Sequence, residues 1–245
     1  VGVVWAEASS FAAGVVGFLD PTESARIRHI HAPHDQALFV AAAGLLHLVL
    51  GELWGTDPRE AVVDRTCRAC GRLHGKPQPL VDGWHCSVTH SGDLVGVAWS
   101  RAGAIGLDVE RCRPVDLEEL RAALTDGEFT ALASLPSCSL EAALIRIWVC
   151  KESVVKLTGE GLAGMRGFSV PVTPAPPDTP GRANGPGLDQ VRILDLTPRP
   201  HYAAALALRG SPTLANSLTR FISPESSSSC GRSGTPGHDV RGLRT

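Results

Sequence analysis

An α+β fold is what this sequence predicts, and three observations predict it. Short β-type runs and longer helical runs are mixed along the chain without a regular βαβ rhythm. Turn and cap signals such as Asp20-Pro21 and Ser91-Gly92-Asp93 separate them. Hydrophobic residues make up 43% of 245 residues, enough to build one large core or two small ones. A division near residue 105 gives two halves of comparable size, 1–104 and 105–222. Residues 223–245, rich in serine, glycine and arginine, read as a disordered tail.

The elements follow in order. Residues 1–4 and 12–19 are apolar runs that read as strands. Asp20 is an N-cap candidate with Pro21 at the first helical position, so a helix starts there. A second helix covers residues 35–50, where the apolar run 39–50 marks it as buried. Residues 85–88 and 94–99 read as strands joined by Ser91-Gly92-Asp93, and 104–110 as another strand. Helices follow at 117–123, 126–135 and 140–157. The proline-rich stretch 171–187 reads as a loop, and residues 167–170, 190–196 and 202–208 as late strands.

Composition excludes several function classes. A formal net charge of −2 argues against a generic nucleic-acid binder. No run reaches the ~18 apolar residues of a membrane span, and the apolar start has no basic leader, so no export signal is expected. Seven cysteines without even spacing read as reduced thiols in cytoplasm.

Lys76, Lys151 and Lys156 are the only lysines, against twenty arginines. A compact ammonium suits a phosphate in a tight pocket better than a planar guanidinium does. Asp108 and Glu110 lie two apart on a strand, so their carboxylates share a face with Gly106. Two such charges repel unless a cation sits between them, and hard oxygen ligands of this kind suit Mg²⁺. The plain alternative is a strand end turned to solvent. Trp148, Glu152 and Lys156 form one helical stripe at i, i+4, i+8. Glu152 interrupts an apolar face, where an unpaired carboxylate is costly. The plain alternative is a Glu152–Lys156 ion pair, worth ~0.3–0.5 kcal/mol if exposed. Together the two motifs bring three carboxylates and a lysine, the equipment for handling a polyphosphate.

At these residues the sequence resembles the 4′-phosphopantetheinyl transferases of the Sfp type. The strand Gly106, Asp108, Glu110 is followed by Trp148, Lys151, Glu152, Ser153, Lys156, Gly159, Gly161 and Leu162 at the family's spacing. Gly75-Lys76-Pro77 is similar to its G-K-P motif. Ser87-Val88-Thr89-His90-Ser91-Gly92 is similar to its S-x-S-H-S-G segment, with Thr89 in place of the usual serine. The resemblance implies a pseudo-dimer of two similar α+β halves, each a small, mostly antiparallel sheet packed with helices.

It also implies transfer of the phosphopantetheine arm of coenzyme A to a serine of an apo acyl or peptidyl carrier protein, releasing adenosine 3′,5′-bisphosphate. Asp108, Glu110 and Glu152 would hold Mg²⁺, or Mn²⁺ in its place. Asp108, Glu152 and Lys156 would be catalytic, with Glu152 as base and Lys156 on the pyrophosphate. Gly75, Lys76, Pro77, Thr89, His90, Arg26 and Arg28 would join Asp108 and Lys156 in binding coenzyme A. The carrier would dock on an apolar surface at residues 154–165, with Arg146 and Arg166 at its rim. A monomer is implied, with no nucleic-acid or membrane partner. One departure stands out: after Asp35 no positive charge occurs until Arg59, where the family often has an arginine. A coenzyme A- or carrier-binding paralogue without activity is the alternative. Cys67, Cys70 and His74 are unabsorbed by either reading: three zinc ligands, with His85 or Cys86 as a fourth, or a turn with two free thiols.

Overall fold

Two helices of 22 residues organise the chain, each lying on a four-stranded sheet. In this computed structural model, residues 1–67, 70–174, 180–210 and 219–222 are described. The first half runs β1 (Gly2–Glu7), α1 (Ala8–Val15), α2 (Pro21–Ile27), α3 (Pro33–Trp54), β2 (Val63–Asp64), β3 (Gln78–Pro79), β4 (His85–Ser91) and β5 (Leu94–Ser100). The second runs β6 (Ile105–Arg111), α4 (Asp126–Ala133), α5 (Ser137–Thr158), β7 (Gly181–Arg182), β8 (Val191–Leu196) and β9 (Tyr202–Arg209). A last strand, β10 (Thr219–Phe221), pairs in parallel with β1. The first sheet therefore takes a strand from beyond the division expected at residue 105. The expected tail, 223–245, lies outside the described residues.

The two sheets have the orders β10-β1-β5-β4 and β6-β9-β8-β7, and the cores β1-β5-β4 and β6-β9-β8 are antiparallel throughout. Helices α3 and α5 start 104 residues apart, at 33 and 137, and each stops at a left-handed glycine, Gly55 or Gly159. At the same offset Gly2, Val4, Ala6 and Leu48 correspond to Gly106, Asp108, Glu110 and Glu152.

The caps follow the same plan. Asp20 and Thr125 each close a capping box on α2 and α4, with Glu23 and Glu128 as the reciprocal partners. Both glutamates are buried, and each meets a basic side chain at the fifteenth position of the long helix. Glu23 Oε2 lies 2.8 Å from His47 Nε2, and Glu128 Oε2 lies 2.9 Å from Lys151 Nζ. Arg65 also binds Glu23. Burial alone would raise Glu23, but the hydrogen bond and charge of His47, with Arg65, pull it down to about 2.

Helix α3 is long and apolar enough to cross a membrane by length and composition. Here most of it is buried: Leu45, Leu46 and Leu50 pack with Phe11, Val15, Val95 and Val97 in the first core. Each such side chain contributes roughly 1.5–3 kcal/mol relative to exposure.

Some expected elements differ. Residues 12–19 are not a strand: α1 and a short 3-10 turn at Val16–Phe18 occupy this stretch. Ala8, Phe11 and Val15 give a buried helical stripe, which the continuous apolar run concealed. The expected helix at 117–123 is a 3-10 turn at Glu118–Leu120. The strand expected at 167–170 reduces to one bridge, Ser169 with Asn184. The proline-rich loop supplies Asn184 to that bridge and contains β7; its residues 175–179 lie outside the described residues.

The halves meet where β4, the edge of one sheet, runs beside β6, the edge of the other. Alternate residues of β4 point at β6. Ser87 Oγ, Thr89 Oγ1 and Ser91 Oγ accept hydrogen bonds from the backbone N–H groups of Leu107, Val109 and Arg111 at 2.9, 3.2 and 3.1 Å. Three hydroxyls thus replace a backbone ladder and satisfy a strand edge that would otherwise be left open.

Candidate active site

The site is built where α5 crosses β6, and Gly106 lets it do so. A Cβ at Gly106 would collide with the Ser153 carbonyl oxygen and stand 2.5 Å from the Leu157 nitrogen. The helix backbone therefore rests directly on the strand. That close approach brings Glu152 and Lys156, one turn apart on α5, over Asp108 and Glu110.

Asp108 is 4% exposed. Its Oδ1 takes two hydrogen bonds, from Lys156 Nζ at 2.7 Å and Thr89 Oγ1 at 3.1 Å. Its Oδ2 is buried with no hydrogen-bond partner among the described residues. Lys156 Nζ also donates to Thr89 Oγ1 at 3.1 Å. The Thr89 hydroxyl is therefore fully used: it donates once, to Asp108, and accepts from Val109 N and Lys156. Glu110 Oε2 accepts from Ser91 Oγ at 2.7 Å.

Burial raises Asp108 above its usual range; Lys156 opposes this and the Glu110 charge adds to it. Glu152 is raised in the same sense, first by burial and then by the charge of Asp108, with Lys156 opposing and Glu110 adding. Three carboxylates thus crowd one lysine, and one buried oxygen has no donor among the described residues. The chemistry of this set fits a divalent cation held by carboxylates and phosphate oxygens. Two other clusters bring three ligand atoms within 4.8 Å of one another: Cys67, Cys70 and His74, and Asp20, Glu23 and His47. The acidic trio is wider, with Lys156 lying against Asp108.

The other expected site residues lie as follows. His90 follows Thr89 on β4 and is exposed. It is lowered first by desolvation and next by the Lys156 charge, with Glu110 and Asp35 opposing. Lys76 Nζ donates to the Ile105 carbonyl at 2.7 Å, so the Gly75-Lys76-Pro77 loop reaches the first residue of β6. Thr89 is 2% exposed and lies beneath the carboxylates rather than at an open nucleotide end, because its side chain faces the seam with β6. Arg26 is exposed and stacks over Phe39 at 5.2 Å, and Arg28 caps the end of α2. Among the described residues, neither arginine bonds to the acidic trio.

Lys151 points away from the site and is fully buried. Besides Glu128 it donates to the carbonyls of Met165 and Phe168, each at 2.8 Å. Lys156 pairs with Asp108 and not with Glu152, so the simple helix ion pair is not formed. The docking surface expected at 154–165 is corrected too. Val154 is 0% and Met165 1% exposed, since the turn Leu162–Gly167 folds Met165 into the second core. Arg146 is held by Asp195 and the Pro171 carbonyl. Leu162 is a large apolar side chain that this turn leaves exposed.

Ser87 and Ser91 are parts of the site that sequence reasoning did not assign. Their signal was available: hydroxyls at 87, 89 and 91 repeat with the period of a strand.

A sequence model of the 4′-phosphopantetheinyl transferase superfamily matches residues 104–207, the span that holds β6, α5 and β9. The 4′-phosphopantetheinyl transferase HetI of Nostoc sp. is 30% identical over 198 residues, covering 78% of this chain and 79% of its own length. The chain belongs to this family. It is accordingly a transferase of the phosphopantetheine arm. The 4′-phosphopantetheinyl transferase psf-1 of Bacillus pumilus is 30% identical over 51% of this chain and 52% of its own length. Sfp of Bacillus subtilis is 24% identical over 60% and 63%.

Proposed function

We propose that the chain moves the phosphopantetheine arm from coenzyme A to a carrier-protein serine with a divalent cation, Mg²⁺, held by Asp108, Glu110 and Glu152. The observation that carries this is the buried Asp108 carboxylate, with one oxygen on Lys156 and the other without a donor among the described residues. When bound, the cation supplies positive charge to the pyrophosphate and to the oxygens that carry charge in phosphoryl transfer.

The protein's own groups do the rest. The serine oxygen attacks the pyrophosphate phosphorus that bears the pantetheine arm, and its proton passes to the Glu152 carboxylate, directly or through water. The raised affinity of Glu152 for a proton suits a base working near neutral pH. The bond from that phosphorus to the bridging oxygen breaks, and adenosine 3′,5′-bisphosphate leaves with the electron pair. Lys156 balances the charge developing on the leaving phosphate. Lys76 and His90, both from the first half, are the basic groups this reading assigns to the nucleotide end. The partners on this reading are apo acyl or peptidyl carrier domains, met by a monomer in the cytoplasm.

Incubation with coenzyme A, Mg²⁺ and a panel of apo carriers, read by intact mass, tests this. We expect one arm per carrier serine and a rate loss of about 10²–10⁴ in Glu152→Gln. Full activity in folded Glu152→Gln, or in chelator-treated protein, would overturn the assignment.

A further inference from the structure

The loop between β2 and β3 carries a cluster that the transfer reaction does not use. Cys67, Cys70 and His74 bring their two sulfurs and one ring nitrogen within 4.8 Å of one another. Cys70 Sγ and His74 Nε2 are 3.0 Å apart. Zinc bonds of about 2.3 Å to sulfur and about 2.05 Å to nitrogen place tetrahedral ligand atoms roughly 3.5–3.8 Å apart. The three atoms therefore need only small rotamer changes to surround an ion.

The backbone around them is already turned for this. The Cys67 carbonyl accepts from Gly71 N and the Cys67 N–H donates to the Arg72 carbonyl, both at 2.8 Å. Gly71 takes φ +70°, a conformation that favours glycine. The contrast with the other cluster, Asp20, Glu23 and His47, is instructive. There Arg65 already lies on Glu23 and fills the place of a cation.

Neither expected fourth ligand joins the three. Cys86 is buried, donates to the Pro77 carbonyl at 3.3 Å, and is pushed up to about 12 by burial. His85 is not part of the cluster. Cys70 and His74 are exposed, so the remaining position faces solvent.

We propose that Cys67, Cys70 and His74 form a zinc knuckle whose fourth position is taken by water. Its place in the fold gives it a task. Gly75, directly after His74, packs flat on the chain entering the loop, where a Cβ would stand 2.9–3.0 Å from the Thr66 and Arg65 carbonyls and the Cys67 Cα. Gly75 N donates to the Arg65 carbonyl at 2.7 Å, and Lys76 then reaches Ile105 across the seam. A zinc ion would tie the two arms of the loop together one residue before Gly75 and hold Lys76 against the second half.

The test is metal analysis of the full chain, grown with zinc and purified without chelator. We expect close to one zinc per chain, lost in the double variant Cys67→Ser/Cys70→Ser while its circular dichroism stays that of the parent. Because that variant can fail to fold, the parent is also exchanged into cobalt and titrated with a thiol-directed mercurial. Thiolate-to-cobalt charge transfer with tetrahedral ligand-field bands is expected, and zinc release that tracks modification of two thiols. Absence of zinc, zinc retained by the folded double variant, an octahedral cobalt spectrum, or a Cys67–Cys70 disulfide in the isolated protein would each overturn the proposal. None of these readouts depends on transfer activity.

Discussion

Replacing Gly106 with alanine tests the central contact of the site. The added Cβ meets helix backbone, the Ser153 carbonyl and the Leu157 nitrogen, so no flexible side chain can give way. The Leu157 nitrogen at 2.5 Å would have to move to an ordinary contact of 3.4–4 Å, and the Ser153 oxygen, nearer still, must move further, so α5 withdraws by at least about 1 Å. Overpacking of this kind costs typically 1–3 kcal/mol, and a backbone-to-backbone clash belongs at the upper end, near 3. The same withdrawal would stretch the 2.7 Å contact between Lys156 Nζ and Asp108 Oδ1 beyond hydrogen-bonding range. A misplacement of about 1 Å can cost about 10²-fold in rate. Urea unfolding gives the first number and coenzyme A-dependent carrier modification the second. A folded Gly106→Ala protein within about 0.5 kcal/mol of the parent, with parental turnover, would refute the reasoning.

Two further outcomes are expected. Thr89→Val removes the one hydroxyl shared by Asp108, Lys156 and Val109 N; it should cost about 1–3 kcal/mol, with Thr89→Ser restoring most of it in the same urea assay, and equal stability of all three proteins would contradict the shared role. Glu23, pulled from 4.5 to about 2, contributes stability that is fully present above 4.5 and lost as pH falls through about 2. That contribution is on the order of 3 kcal/mol. His47→Ala should shrink it, so a plot of unfolding free energy against pH should show a smaller acid loss in the variant; superimposable slopes would count against the His47–Glu23 pair.

The chemistry of the site was more legible in the sequence than its support. Alternation on a strand is enough to put Asp108 and Glu110 on one face, and helical spacing is enough to align Glu152 with Lys156. Both patterns are local. The partner of Lys156 is not: its choice of Asp108 over Glu152 depends on how closely α5 rests on β6, and Gly106 betrays that only once the two are packed. Lys151 misleads for the same reason. It sits beside Glu152 in the sequence, yet its helix face turns it to Glu128, a residue of a capping box on α4. Residues 12–19 misled by being apolar throughout, since a uniform run carries no period. Met165, expected at a surface, is drawn under by the hydrogen bond from Lys151 to its carbonyl, a contact no spacing rule encodes.

The hydroxyl seam makes the acidic site a joint product of the two halves. Asp108 and Glu110 belong to one half, but the groups that donate to them from Thr89 and Ser91 belong to the other. The carboxylates acquire their final hydrogen bonds only when β4 docks on β6. Docking therefore completes the site rather than creating it: the second half alone carries the acidic trio and Lys156 on β6 and α5, and the first half adds the Thr89 and Ser91 donors.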